Sequence, residues 1–447
     1  MTEPSDLLDR LSDLVDRAKR AGADAADAIV AESRSLDVAC RMGERETLER
    51  SEALELGLRV FVGERQAIVA SEDLSPSTLD RLVRRAVDMA RVAPPDPDVR
   101  LAGAADLARD ISTLDLIDPD EPTPERLSEI ALAVEGAALA VDGVGNSEGG
   151  AANWGRTSVA LAASNGFAGV YGRTSCSFHA TAIAERDGAM ERDYDWSAAT
   201  HMADLADPAA IGRNAGERAL RRLGARRVKS QAVPVVFEQR LAGGLVRSFA
   251  GAVNGAAIAR GVSYLKDRMG QQVFAKGVEL VDDPRRPRGM SSKPFDGEGL
   301  PAKALALVED GVLKTWTLDL RAAAKLGLKS NGRASRGVGS NPSPSVTNLD
   351  MSAGAATPEA LIGEIENGLY VTELIGHGGD MATGDYSRGA SGYWIENGEL
   401  AFPVNELTIA GNLKDMFLAA TPANDLIRRS AVNAPTLRID GMTVAGQ

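Results

Sequence analysis

Residues 383–398 read Thr383-Gly384-Asp385-Tyr386-Ser387-Arg388-Gly389-Ala390-Ser391-Gly392-Tyr393-Trp394-Ile395-Glu396-Asn397-Gly398. Charged groups, aromatics and glycines are denser here than in the Ala/Leu-rich chain around them. Glycine at every third or fourth place lets backbone come close to backbone or ligand. Tyr393–Glu396, followed by Asn397-Gly398, reads as a strand entering a tight hairpin. A core segment has no need of this mixture. A shaped surface, contact site or lining does.

Working outward, the neighbouring segments also read as strands: Leu369–Ile375, Leu400–Pro403 and Glu406–Ala410, with a helix around Leu413–Ala419. Ala304–Val308 and Val312–Leu318 form a hairpin about Asp310-Gly311. Arg333–Pro344 is a long Gly/Ser/Asn/Pro loop, of the kind that is mobile or functional. The second half is therefore expected to be β-rich and barrel-like, with a few helices.

The first half announces its helices by one device. Ser75-Pro76, Thr123-Pro124 and Asp207-Pro208 each place a capping oxygen before a proline at the first helical position, as Thr357-Pro358 does later. Apolar residues at helical spacing follow, such as Leu79, Leu82, Val83, Ala86 and Val87. A helix from about Ser5 to Arg20 opens the chain directly after Met1-Thr2-Glu3-Pro4. Ala28–Cys40 and Ala53–Ala70 read as strands, the latter with a turn at Gly63-Glu64. Asn165-Gly166 and Asp187-Gly188 mark further hairpins. The fold class is α+β, with helices on a mostly antiparallel sheet over 1–228 and a β-rich domain over 229–447.

Composition excludes several classes. The 447 residues carry a formal charge of −13, which argues against a nucleic-acid footprint. The basic cluster Arg221-Arg222, Arg226-Arg227 and Lys229 ends a helix, where cations suit the macrodipole, and reads as structural. Two distant cysteines, Cys40 and Cys176, make no disulfide framework. There is no secretory leader and no apolar run of the ~18 residues a span needs. A soluble, cytoplasmic protein is expected, with no membrane or nucleic-acid partner.

Chemistry-bearing motifs are sparse. His179, His201 and His377 form no local pair. Cys176 and His179 fall on opposite faces of a probable strand. Gly143-Val144-Gly145 lacks the third glycine of a dinucleotide fingerprint. No Gly-x-Ser-x-Gly elbow occurs. Asp193-Tyr194-Asp195-Trp196 pairs two carboxylates, and a solvated turn is the expected setting. His377, in Gly376–Asp380, is a candidate loop contact.

Taken with the opening stretch, Leu326–Ser330, Gly368–Leu374 and Val404–Met416 closely resemble the PmbA (TldE) branch of the TldD/PmbA family. The likeness extends to Ser164–Phe167, Arg192–Tyr194, Pro294–Gly299 and Gly441–Gln447, essentially the whole chain. The resemblance implies a cytosolic metallopeptidase system in which TldD and TldE subunits enclose a cavity. A zinc on TldD there cuts unfolded or extended peptides. Modulator of DNA gyrase is an older name for such proteins.

TldD-type chains carry His-Glu-x-x-x-His on a helix and a cysteine near the C-terminus. The matching helix here is Ala242–Val253, with Arg247, Ser248 and Ala252 at the His, Glu and His places. Arg428–Asn433 holds no cysteine. A zinc hydrolase needs about three protein ligands and a base, so this chain is expected to hold no metal and no catalytic residue. Zinc is expected on a TldD-like heterodimer partner. Asp385, Tyr386, Arg388, Tyr393, Trp394 and His377 are then candidates for substrate or interface contact. The alternative is a free-standing peptide-binding or modulator protein acting as a homodimer. A peptidase built on unrecognised residues is a third reading, with no nucleophile–base pair to support it.

Overall fold

The computed structural model describes residues 4–446. The leading Met1-Thr2-Glu3 and Gln447 lie outside the described residues. Helix α1 (Pro4–Arg20) presents Leu7, Leu11, Leu14, Val15 and Ala18 on one buried stripe. It covers a six-stranded sheet made of β1 (Ala25–Arg41), β2 (Glu44–Val62), β3 (Arg65–Ser71), β4 (Val144–Ala163), β5 (Ala168–Arg186) and β6 (Ala189–Ala199). The order is β3-β2-β1-β4-β5-β6 and every pairing is antiparallel.

Three further helices, α2 (Pro76–Val92), α3 (Pro124–Leu139) and α4 (Pro208–Arg221), begin at the expected prolines. Thr123 and Asp207 accept backbone N–H groups as caps. Ser75 instead donates its hydroxyl to Asp73, 3.0 Å away. Helices α1 and α2 pack over one half of the sheet, and α3 and α4 over the other.

The chain then enters a closed five-stranded barrel. Its strands are β7 (Gln231–Phe237), β8 (Asn367–Ile375), β9 (Asp385–Glu396), β10 (Glu399–Asn412) and β11 (Leu437–Ala445). β10, β9 and β8 run antiparallel in turn, and β8 lies parallel to β7. β7 pairs with β11, which returns to β10 and shuts the ring. Helix α5 (Gln239–Ala252) adds Leu245, Val246 and Phe249 to a core shared with Val235, Leu369, Trp394 and Ile439.

Several expectations change here. The strand expected over Tyr393–Glu396 is longer, since β9 already begins at Asp385. Leu400–Pro403 and Glu406–Ala410 are one strand, β10, interrupted where Glu406 takes φ +54°. The run Val312–Leu318 supplies only Val312–Leu313 as strand. Glu44–Ala53 is strand although it lacks an apolar face, since it pairs only with β1 and stands in solvent. Among the described residues, no helix is long and apolar enough to cross a membrane.

Candidate functional site

Helix α5 is the element on which the chemistry turns. Its N-terminal flank is fixed by buried ion pairs. Glu238 takes Arg218 at 2.5 Å and Arg240 at 2.9 Å. Arg240 also reaches Asp193 of β6 at 3.1 Å. Arg222 joins this cluster through Glu373, Glu191 and Asp193. The expected solvated turn at Asp193–Trp196 is therefore wrong. Both carboxylates sit in β6 and are buried, because Arg222, Arg240 and Arg429 come to them from outside that strand. Part of the basic cluster is structural, as read: Arg222 is buried, and Arg226 stacks over Phe402.

On the other side, α5 lies against residues 431–433. A Cβ added at Gly243 would sit 2.8 Å from the Val432 carbonyl oxygen, so only glycine allows this approach. The segment is held from below by Asp350, which accepts from Arg428 at 2.6 Å and from Asn433 at 2.9 Å. The fold thus brings together the α5 helix and the C-terminal segment that the resemblance marked for metal ligands.

The donor set there does not fit zinc. Arg247 is exposed, and its guanidinium stays protonated. The Ser248 hydroxyl donates to the Gly244 carbonyl at 3.1 Å. Ala252 is a methyl in the core. Among the described residues, no group of three or more His, Cys, Asp or Glu side chains is placed to hold a metal ion. Cys176 is buried and its thiol is pushed up to about 12 by that burial, while His179 is exposed on the opposite face.

The loop from Gly376 to Gly384 lies beside this helix. The Met381 methyl rests over Gly251, and the Met381 carbonyl accepts from Tyr264 N–H at 3.0 Å. Asp380 folds the loop by accepting from the N–H groups of Ala382 and Thr383. Hydrogen bonds from Thr383 and then Asn412 hold Asp385 below the usual carboxylate range. His377 is exposed in this loop.

The six candidate contacts do not form one site. Tyr386 is buried, its hydroxyl makes no well-formed hydrogen bond among the described residues, and burial, opposed by the nearby Arg388, pushes it up to about 12. Arg388 donates to the Leu374 carbonyl at 3.2 Å. Trp394 belongs to the barrel core. Tyr393 lies seven residues along β9 from Tyr386, about 23 Å at strand rise. It lines a separate cavity of about 510 Å³ with Tyr370, Thr372, Arg218, Arg221 and Phe402. The Tyr370–Arg218 side of this cavity was not anticipated, since it is assembled from β8 and α4.

The chain matches the models of the PmbA/TldA metallopeptidase domain 1 over residues 26–90, the central domain over 117–223 and the C-terminal domain over 230–446. It belongs to the PmbA/TldD family. It is 36% identical to the metalloprotease PmbA of Escherichia coli over 95% of this chain and 93% of that one. A Haemophilus influenzae PmbA homologue is 32% identical over 99% and 97%. A Bacteroides thetaiotaomicron structure, described as a candidate modulator of DNA gyrase, superposes with TM-score 0.90 at 26% identity, covering 98% of both chains. TldE from Thermococcus kodakarensis shares the fold, with TM-score 0.87 at 19% identity over 98% of this chain and all of that one.

Proposed function

We propose that this chain is a TldE-type, non-catalytic subunit of a cytoplasmic TldD/TldE metallopeptidase. It completes the chamber and holds an extended peptide beside a zinc carried by its TldD-like partner. The observation that supports this reading is the donor set on α5. A helix and a C-terminal segment are packed together as a metal site would require, yet Arg247, Ser248 and Ala252 offer neither ligands nor base. The domain division at 228/229 and contact roles for Asp385, Arg388, Tyr393 and His377 belong to the same proposal, whereas Tyr386 and Trp394, buried in the barrel core, shape the domain.

The test is reconstitution. The purified chain, a TldD-like chain and their mixture are compared by size exclusion, zinc analysis and cleavage of an unfolded peptide. Co-elution, with one zinc per pair and cleavage abolished by a chelator, is expected. Stoichiometric zinc on this chain alone overturns the reading. A stable homodimer that binds peptide and ignores the partner favours a free-standing binding module.

A further inference from the structure

A second cavity, of about 420 Å³, lies where β1, β4 and β5 meet the Arg333–Pro344 loop. Its walls carry three cations, Arg173, Lys293 and Arg336, against two carboxylates, Glu55 and Asp296. Asp296 accepts the backbone N–H groups of Glu298, Leu300 and Ala334, and it also faces the Lys293 charge. Among the described residues, Lys293 donates to the Ala334 carbonyl, at 2.8 Å, and Arg173 to the Met290 carbonyl, at 3.1 Å.

Arg336 is the unusual member. Its side chain is fully buried and makes one ion pair, Nη1 to Asp27 at 2.6 Å. Asp27 divides itself between Arg336 and the equally buried Arg59. Among the described residues, the Nε and Nη2 groups of Arg336 have no hydrogen-bond partner. A buried guanidinium left half-paired is costly. One side of the wall is apolar and aromatic, where Phe295 and Tyr171 meet edge to face at 5.2 Å beside Ile29, Val159 and Leu161, while Thr157, Ser291, Ser335, Ser345 and Thr347 add hydroxyls elsewhere.

From this geometry we infer that the cavity binds a monovalent carboxylate with an apolar or aromatic body, the carboxylate held by Lys293 and Arg173, with the Arg336 charge acting from behind the wall. The cations exceed the carboxylates by one, which suits a singly charged anion over a phosphate dianion. The volume falls in the range of small-ligand sites. The carboxylate comes either from a free organic acid or from the C-terminal residue of a peptide. Burial lowers the pKa of Lys293, and a bound anion opposes that effect. The inference is independent of the TldD-like partner.

The experiment is calorimetric titration of the full chain with N-acetylphenylalanine, its amide, the tripeptide Ala-Ala-Phe and inorganic phosphate. Saturable 1:1 binding of N-acetylphenylalanine is expected, at least tenfold tighter than its amide or phosphate. Lys293→Met and, separately, Arg173→Gln should each weaken it tenfold or more. Circular dichroism of Lys293→Met establishes that the variant is folded before its binding is read. Ala-Ala-Phe competing at similar affinity identifies a peptide end as the source, and its failure to compete identifies a free acid. No binding of the acid, equal binding of the amide or phosphate, or full binding by a folded Lys293→Met chain overturns the inference.

Discussion

The Arg240 guanidinium lies 3.1 Å from the Asp193 carboxylate, with both side chains almost wholly buried. One stands on α5 and the other on β6, so this contact and its neighbours at Glu238 weld the functional helix to the N-terminal sheet. Removing one partner strands the other charge away from water, at a cost of about 3–5 kcal/mol. Arg240→Met should lower urea stability by about that much. A loss under ~1 kcal/mol, as for an exposed pair, would show the junction is not rigid.

The hydroxyl of Tyr386 has the Arg388 side chain nearby but makes no well-formed hydrogen bond among the described residues, while its ring belongs to the barrel core. Tyr386→Phe should therefore leave stability unchanged or raise it by up to about 1 kcal/mol. Tyr386→Ala should cost about 3–5 kcal/mol. Thermal and urea unfolding of the two variants check this. In the reconstituted pair, Tyr386→Phe is expected to cleave peptide at the wild-type rate. A drop in rate would mean that the hydroxyl meets substrate.

Gly392 is where β9 comes closest to β8. A Cβ there would lie 1.9 Å from the Tyr370 carbonyl oxygen, a backbone atom that cannot swing aside. Gly392→Ala should destabilise by about 3 kcal/mol or prevent folding. Circular dichroism of the purified variant decides, and a native melting curve would contradict the strand spacing.

Glu298 is buried beside Asp296, and burial followed by that neighbouring charge pushes its pKa up to about 8. Between roughly pH 4.5 and 8 the folded chain therefore holds a proton that the unfolded chain has lost. The linkage sign follows: this group's contribution declines as pH rises through that window. Glu298→Gln keeps an acceptor for the Leu320 N–H, which Glu298 meets at 2.8 Å. The variant's melting temperature should fall less between pH 5 and 8 than the wild type's. Parallel curves would remove Glu298 from the account.

Ala252 occupies the place of the second histidine, inside the core. Restoring that histidine alone should cost about 1–3 kcal/mol through overpacking, without creating zinc affinity. Urea unfolding and metal analysis of Ala252→His check both halves.

What could be read along the chain was whatever is local. Proline after a capping residue sets a helix start within four residues, and Asn165-Gly166 and Asp187-Gly188 turn hairpins on their own. The residue types carried by α5 were legible because ligand chemistry resides in residue type. Contacts between distant segments were not legible. Asp193 and Asp195 look solvated until Arg222, Arg240 and Arg429 arrive from far along the chain. The motif 383–398 looked like one site, but a strand spreads Tyr386 and Tyr393 to different ends and buries Trp394 next to Tyr393. Glu44–Ala53 showed no alternation because neither of its faces is covered.

Ring closure has a consequence for synthesis. β11 is the strand that joins β7 to β10, and it follows every other barrel strand along the chain. The six-stranded sheet is complete by Ala199 and can fold while the rest is still being made. The barrel cannot. Until residues 437–445 leave the ribosome, β7 and β10 each keep an open edge able to pair with another nascent chain. Truncation ahead of Leu437 should therefore cause aggregation, however intact the N-terminal half.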